Sequence, residues 1–423
     1  MQSLLVAAHR WLGLASAVFL LVAGLTGAII SWDHELDEWL NPHLHKTGSH
    51  TAPPRAPLEL VKLVETADPR VRVSMFPLHY EAGHAAVLWV DAKLNPATER
   101  RHEPGYNQVF VDPASGAILG TREWGRPALD REHLLSFLYK LHYSLQLPEW
   151  GGIDRWGIWL MGIVALSWLF NLCIGLLITL PKTGTGTVAD VRNSSQGRVL
   201  SRLRQWKAAW LIQRRFGTFR FTFDLHRAGG LWFLGLLLIL AFTSFSLNLY
   251  REAFYPLMSL VSEVTPSPFA TRSPNPPQLP IEPGVSWQQL LDASRDIARQ
   301  RGWQEPVGSV YYSDSYGIHG VRFHQAGDDH GRGGIGVKTL YFDGSNGRLA
   351  GEVVPWRGTL ADIFVQLQFP LHSGRILGLP GRILVSVTGL VIAMLSLTGI
   401  IIWWKKHRTS RMMPHAGSQA GQP

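Results

Sequence analysis

Apolar residues are gathered into four uncharged runs, Trp11–Trp32, Trp156–Leu180, Ala228–Tyr250 and Ile383–Trp404. They hold 22, 25, 23 and 22 residues, and about 20 helical residues cross a bilayer core. Four transmembrane helices are therefore expected. The first run is longer than the roughly 7–15 residues of a secretory core and meets no small-x-small cleavage site, so it is read as an uncleaved helix. The stretches between runs one and two, and between runs three and four, have ordinary polar composition and are each long enough to fold. Both carry strand-like alternation around a turn, over Gln108–Gly120 and Thr339–Gly351. In each, an apolar strand runs into Asp (Asp112, Asp343). Three residues later a small polar residue (Ser115, Asn346) precedes a glycine that supplies the positive φ of a hairpin. Pro-rich Thr265–Pro283 reads as an extended linker.

Composition adds little beyond this division. Only 17% of the 423 residues are charged, against the usual quarter, and mean hydropathy is +0.04. The single Cys173 lies inside the second run, which excludes disulfides and thiolate clusters.

Charge orients the chain. Within Pro181–Arg220, Lys182, Arg192, Arg198, Arg202, Arg204, Lys207, Arg214, Arg215 and Arg220 stand against the single Asp190, and Lys405, Lys406, Arg408 and Arg411 follow run four. The two long stretches are slightly acidic, with 12 basic and 15 acidic residues in one and 11 and 12 in the other. Positive charge is retained in the cytoplasm, so both termini and the middle loop are expected inside and the long stretches outside. Flanked by two spans, the basic loop is a topology signal rather than a nucleic-acid surface. The expected order is helix 9–33, outer lobe 34–152, helix 153–180, inner loop 181–225, helix 226–250, outer lobe 251–375, helix 376–404 and inner tail 405–423.

The halves repeat. His9-Arg10-Trp11-Leu12-Gly13-Leu14 matches His226-Arg227-Ala228-Gly229-Gly230-Leu231, and Leu141-His142-Tyr143-Ser144 matches Leu371-His372-Ser373-Gly374. Gly151 and Arg155 have counterparts in Gly378 and Arg382. The offsets are 217 from His9 to His226, 231 between the hairpins and 230 from His142 to His372. Tandem span–lobe–span halves often enclose a site at their interface.

One histidine is thus expected at or before the start of each span, His9 and His226 on the inner face and His142 and His372 on the outer. Two axial imidazoles on separate helices make a b-type haem site. Two haems b are expected, with these four histidines as iron ligands. Gly13 and Gly230, four residues after their histidines, give room for a macrocycle, and Arg155 and Arg382 suit propionates. Zinc is disfavoured because no Cys, Asp or Glu accompanies these histidines at metal spacing. His34 is a spare outer candidate. His43, His45, His50, His79, His84, His102, His133, His319, His324 and His330 are expected to face solvent, and Asp33, Glu35 and Asp37 to form a solvated helix end. No hydrolase motif or phosphate loop is present, and Gly331–Gly336 lacks the strand-to-helix context of one. With no flavin or nicotinamide domain, quinol or a cytoplasmic reductase must donate electrons.

The opening His9–Leu14, Gly24-Leu25-Thr26-Gly27-Ala28-Ile29-Ile30 running into Asp33–Asp37 and Asn41-Pro42, Asp224-Leu225-His226-Arg227 with Gly229–Trp232, and Leu371-His372 with Gly374-Arg375 together resemble the PepSY-associated transmembrane family. The Asp112–Gly116 and Asp343–Gly347 turns resemble its PepSY lobes. The resemblance implies a bacterial inner-membrane α-helical protein with two periplasmic α+β lobes. It implies a link to siderophore uptake, and in some members a di-haem ferric-siderophore reductase. The tail beyond Met412 matches nothing in it. A haemless interaction protein acting on peptidases and a siderophore permease are the alternatives. The scarcity of ionisable residues within the spans weighs against the permease.

Overall fold

The computed structural model describes residues 2–48, 53–181, 204–213, 217–276 and 278–412. Outside them lie His50, the tail beyond Met412, and Lys182, Asp190, Arg192, Arg198, Arg202, Arg214 and Arg215 of the basic loop. The chain divides into two compact units. One comprises Met1–Ser31, Leu141–Tyr250 and Pro380–Pro423; the other comprises Trp32–Lys140 and Arg251–Leu379.

The first unit is helical. Gln2–Ile30, Trp156–Thr179 and Leu379–Arg408 are long and apolar enough to cross a membrane. The third apolar run is built differently: Gly217–Trp232 and Leu234–Asn248 meet at Phe233 with a 71° bend and make a fourth span only if taken together. Gly229 and Gly230 precede the bend, a sequence that commonly admits a kink. The first arm is also held by polar bonds. Arg227 donates to the carbonyls of Ala209 (3.1 Å) and Ala208 (3.1 Å), and Trp232 Nε1 to that of Trp210 (3.1 Å). Small residues bring the first and last spans together: a Cβ at Gly24 would lie 2.6 Å from the Gly389 carbonyl, and the reverse is equally close. Backbone contact of this kind is how helices associate where no water drives them. Trp168, Leu237, Leu240, Ala241 and Ile392 fill the space between the helices.

The second unit is one eight-stranded antiparallel sheet with a separate two-stranded ribbon. Chain order gives β1 (Val71–Pro77), β2 (Ala86–Ala92), β3 (Leu94–Asn95), β4 (Arg100–Arg101), β5 (Gln108–Val111), β6 (Ile118–Arg122), β7 (Val307–Ser313), β8 (Ile318–Phe323), β9 (Lys338–Asp343) and β10 (Leu349–Val353). The large sheet runs β10-β9-β8-β7-β1-β2-β5-β6, while β3 pairs with β4. Each half therefore contributes a four-strand meander, and the two join first strand to first strand through Met75–Tyr311, Phe76–Val310 and Pro77–Ser309. Helices Pro57–Ala67 and Trp287–Gln300 supply Leu60, Val61, Val64, Leu290, Leu291 and Ala298 to a core shared with Val71, Val73, Val310 and Leu340. Where two lobes were expected, the halves share a single sheet, because pairing β1 with β7 removes two exposed edges.

Both expected hairpins form, β5–β6 and β9–β10, with Gly116 at φ 81° and Gly347 at φ 71°. Asp112 and Asp343 accept from the turn amides of Ala114 and Ser345, each at 2.9 Å. The Pro-rich stretch is not a free linker. Asp362 accepts from the Thr265 amide at 2.8 Å, Phe269 packs on Tyr316 and Tyr341, Arg272 pairs with Asp343, and Ile281 N donates to the Asp314 carbonyl. Proline fixes an extended path, and these side chains bind that path to the sheet.

Candidate metal-ligating histidines

His9 and His226 stand together. Each lies inside a helix, Gln2–Ile30 and Gly217–Trp232, rather than at its start, because both helices begin several residues before their apolar runs. The rings are edge to face, with centroids 6.3 Å apart and planes at 70°. His9 Nδ1 is 3.3 Å from the Asn171 carbonyl, in the second span. His226 Nδ1 is 3.1 Å from the Leu395 carbonyl and 2.9 Å from Thr398 Oγ1, in the last. A carbonyl only accepts, and the Thr398 hydroxyl directs its proton to the Met394 carbonyl at 2.8 Å. Both imidazoles therefore donate from Nδ1, which puts the lone pair on Nε2, the atom that could ligate a metal. Two metal–nitrogen bonds of about 2 Å, plus about 1.1 Å from each nitrogen to its ring centre, span about 6 Å. The spacing would leave room for one ion between the two rings.

His142 is held the same way, from its own helix Leu134–Ser144 instead of from a span. Its Nδ1 lies 3.1 Å from both the Ala23 carbonyl and Thr26 Oγ1, and Thr26 donates to the Val22 carbonyl at 2.7 Å. Three spans thus repeat one device: a carbonyl that fixes the ring, and four residues on a glycine that admits it. A Cβ at Gly27 would lie 2.9 Å from His142 Cε1, at Gly175 3.1 Å from His9 Cε1, and at Gly399 3.4 Å from His226 Cε1. Gly13 and Gly230 do not face the rings. A Cβ at Gly13 would meet Asn171 Nδ2 at 3.3 Å, and one at Gly230 would meet Leu395 Cδ2 at 4.0 Å. Neighbouring helices, not the histidines' own, supply the room.

His372 ends the short helix Gln368–Ser373, which Gly374 caps at φ 74°. It belongs to the second unit, and His142 to the first. Arg155 is the N-cap of Trp156–Thr179. Arg382 donates through Nε and Nη2 to the Ser31 carbonyl at 2.9 and 2.6 Å, closing the end of the first span.

Residue composition alone did not single out Asn171, Thr26, Thr398 or the three ring-facing glycines. A trace existed: Leu25-Thr26-Gly27-Ala28-Ile29-Ile30 recurs as Leu397-Thr398-Gly399-Ile400-Ile401-Ile402. Asp224 was also missed as a supporting residue. It is fully buried, pairs with Arg220 (3.0 Å) and Arg227 (2.8 Å), and accepts from the Gln213 amide, so it fixes the helix turn that carries His226.

In the sheet unit, three expectations fail. Asp37 is not at a solvated helix end: it is buried, with Arg122 Nη1 at 2.8 Å, His45 Nε2 at 3.0 Å and Asn41 Nδ2 at 2.8 Å. Burial raises its pKa, but His45 and the Arg122 guanidinium outweigh that and hold it at about 2. His319 and His324 do not face solvent. His319 is 1% exposed between Trp287 and Tyr312, and burial, aided by Arg72, pushes it down to about 4. His324 is 7% exposed, with Nε2 against Ser309 Oγ at 3.0 Å and Nδ1 donating to the Gln325 carbonyl. Strand β8 lies inside the sheet, where both faces are covered, so alternation does not mark its exposed side.

Compared with known protein families, the chain matches the PepSY-associated TM region over residues 6–406, nearly its whole length, and belongs to that family of membrane proteins. No curated protein matches it.

Proposed function

We propose that this member of the PepSY-associated TM family is a four-span bacterial inner-membrane reductase that carries electrons outward through two b-type haems to a periplasmic ferric siderophore. The observation that carries the reading is the His9–His226 pair, with Nδ1 of each ring anchored to a main-chain carbonyl, Nε2 left to ligate, and 6.3 Å between ring centres. Two haems, one held by His9 and His226 and the other by His142 and His372, would supply one-electron transfer between the membrane faces. The second pair is assigned by its matched sequence contexts, and His142 shares the ring-anchoring device of the first.

The chain's own groups do the rest. Main-chain carbonyls of Ala23, Asn171 and Leu395 orient the imidazoles and keep the lone pair on Nε2. Asp224 and Arg227 lock the bent helix that presents His226. The positive-inside rule, applied to Lys207, Arg220, Lys405, Lys406 and Arg408, supports cytoplasmic termini and a periplasmic sheet unit. Quinol or a cytoplasmic reductase would donate. One electron converts Fe(III) to Fe(II), which hard siderophore oxygens hold far less well, so the metal leaves its chelate.

A reduced-minus-oxidised absorbance spectrum of the purified full-length protein tests this. A b-type band equivalent to two haems is expected, and His9→Ala or His226→Ala should each remove the same one. No band after expression with added haem overturns the reading; loss of both or neither overturns the pairing.

A further inference from the structure

We propose that His34, Asp329 and His330 form a second metal site, on the sheet unit, for a divalent transition-metal ion. One donor atom from each lies within 4.8 Å of the others. The three come from distant parts of the chain: His34 from the first turn of helix Asp33–Leu40, and the others from the connection between β8 and β9. The rings of His34 and His330 stand at 86° with centroids 6.0 Å apart.

The β8–β9 connection explains why a loop can hold ligands in place. Gly336 N donates to the His330 carbonyl at 2.9 Å and Gly334 N to the Gly331 carbonyl at 3.0 Å, so the Gly331–Gly336 run folds back on itself behind His330. Only glycine permits the fold. Gly331 sits at φ 67° with the Gly336 carbonyl 2.1 Å from where a Cβ would be, and Gly334 sits at φ 70° with Arg375 Cβ at 2.4 Å. The run that looked like a stray phosphate loop is a clamp on one histidine. His330 is fixed further: Nδ1 lies 2.6 Å from Asp329 Oδ1, and its ring stacks on Phe369 at 6.5 Å and 15°. His34 is exposed while the other two are half-buried, which leaves an entry path. The preceding Asp33 carries a buried carboxylate oxygen with no hydrogen-bond partner.

Two imidazoles and a carboxylate suit Fe(II), Mn(II), Co(II) or Zn(II), whereas Ca(II) and Mg(II) prefer all-oxygen sets. An open three-ligand site exchanges its ion, unlike a closed structural one. Phe369, against which His330 stacks, lies on the helix that carries His372. If the reductase reading holds, the ion taken here is the ferrous product; the site itself does not depend on that reading.

The test is equilibrium dialysis of the purified full-length protein in detergent against Co(II), whose visible bands report nitrogen and oxygen ligation, followed by competition with Zn(II) and with anaerobic Fe(II). One Co(II) per chain is expected, with affinity falling by more than about tenfold in His34→Ala and in His330→Ala and by less in Asp329→Asn. Because His34 is exposed, its variant leaves the loop fold intact even if His330→Ala loosens it. No Co(II) retained, or full retention in the His34→Ala/His330→Ala double variant, overturns the site. The Co(II) and Zn(II) steps involve no reductant, so a failed titration leaves the haem spectrum unaffected, and a missing haem leaves the titration to stand.

Discussion

The Thr398 hydroxyl accepts from His226 Nδ1 at 2.9 Å while giving its own proton to the Met394 carbonyl. That one-way arrangement fixes which nitrogen of His226 is protonated, and Thr26 repeats it at His142. Neighbouring helices therefore fix the tautomer and the orientation of both rings.

Gly27 and Gly175, each four residues after an anchoring carbonyl, should resist a side chain. Gly27→Ala would bring its Cβ to 2.9 Å from the His142 ring, and Gly175→Ala to 3.1 Å from that of His9. On the proposed di-haem reading, Gly27→Ala should displace the haem held by His142 and spare that held by His9, and Gly175→Ala the reverse, with the protein still inserted and folded. Gly230→Ala, with nothing nearer than 4.0 Å, should keep both. Pyridine-haem quantification of the three variants checks this, and equal haem content in all of them would refute the device.

The Asp37–Arg122 pair should be indispensable to the sheet unit. Asp37→Asn leaves a buried guanidinium without its counter-charge, which costs about 3–5 kcal/mol. The folded-state pKa of Asp37 is depressed from 3.8 to about 2. Its contribution is thus fully present above pH 3.8 and disappears as pH falls through 2. Chemical denaturation of the full-length protein at pH 7 should show the loss, and a change under about 1 kcal/mol would place the pair among weak surface bridges.

His319 should make the same unit sensitive to mild acid. Its pKa falls from 6.5 to about 4 in the folded state, so between these values the unfolded chain binds more protons. Stability is complete above pH 6.5 and declines as pH drops toward 4, by up to about 3 kcal/mol. His319→Leu should flatten that slope. Trp287, whose ring centroid lies 4.9 Å from that of His319, gives a fluorescence readout of melting at pH 7 and pH 5. An unchanged difference between the two melting temperatures in the variant would assign the slope to other groups.

The apolar runs, the two hairpin turns and the repeat of the halves were legible in sequence, because each is a short-range pattern: run length, a turn residue at a fixed offset, a repeated string. The same patterns drew attention to His9, His142, His226 and His372. They did not show that His9 and His226 meet, that Gly27, Gly175 and Gly399 rather than Gly13 and Gly230 make room for the rings, or that the third run bends by 71°. Nor did they reveal that the halves share one sheet, or that Asp37, His319 and His324 are buried. Those features depend on which backbone groups face one another across separate elements. A residue's own neighbours in sequence carry no record of that, since a polar side chain is as well satisfied by water as by a partner 85 residues away, the separation of Arg122 from Asp37. Only the tertiary structure, by excluding the water, decides between them.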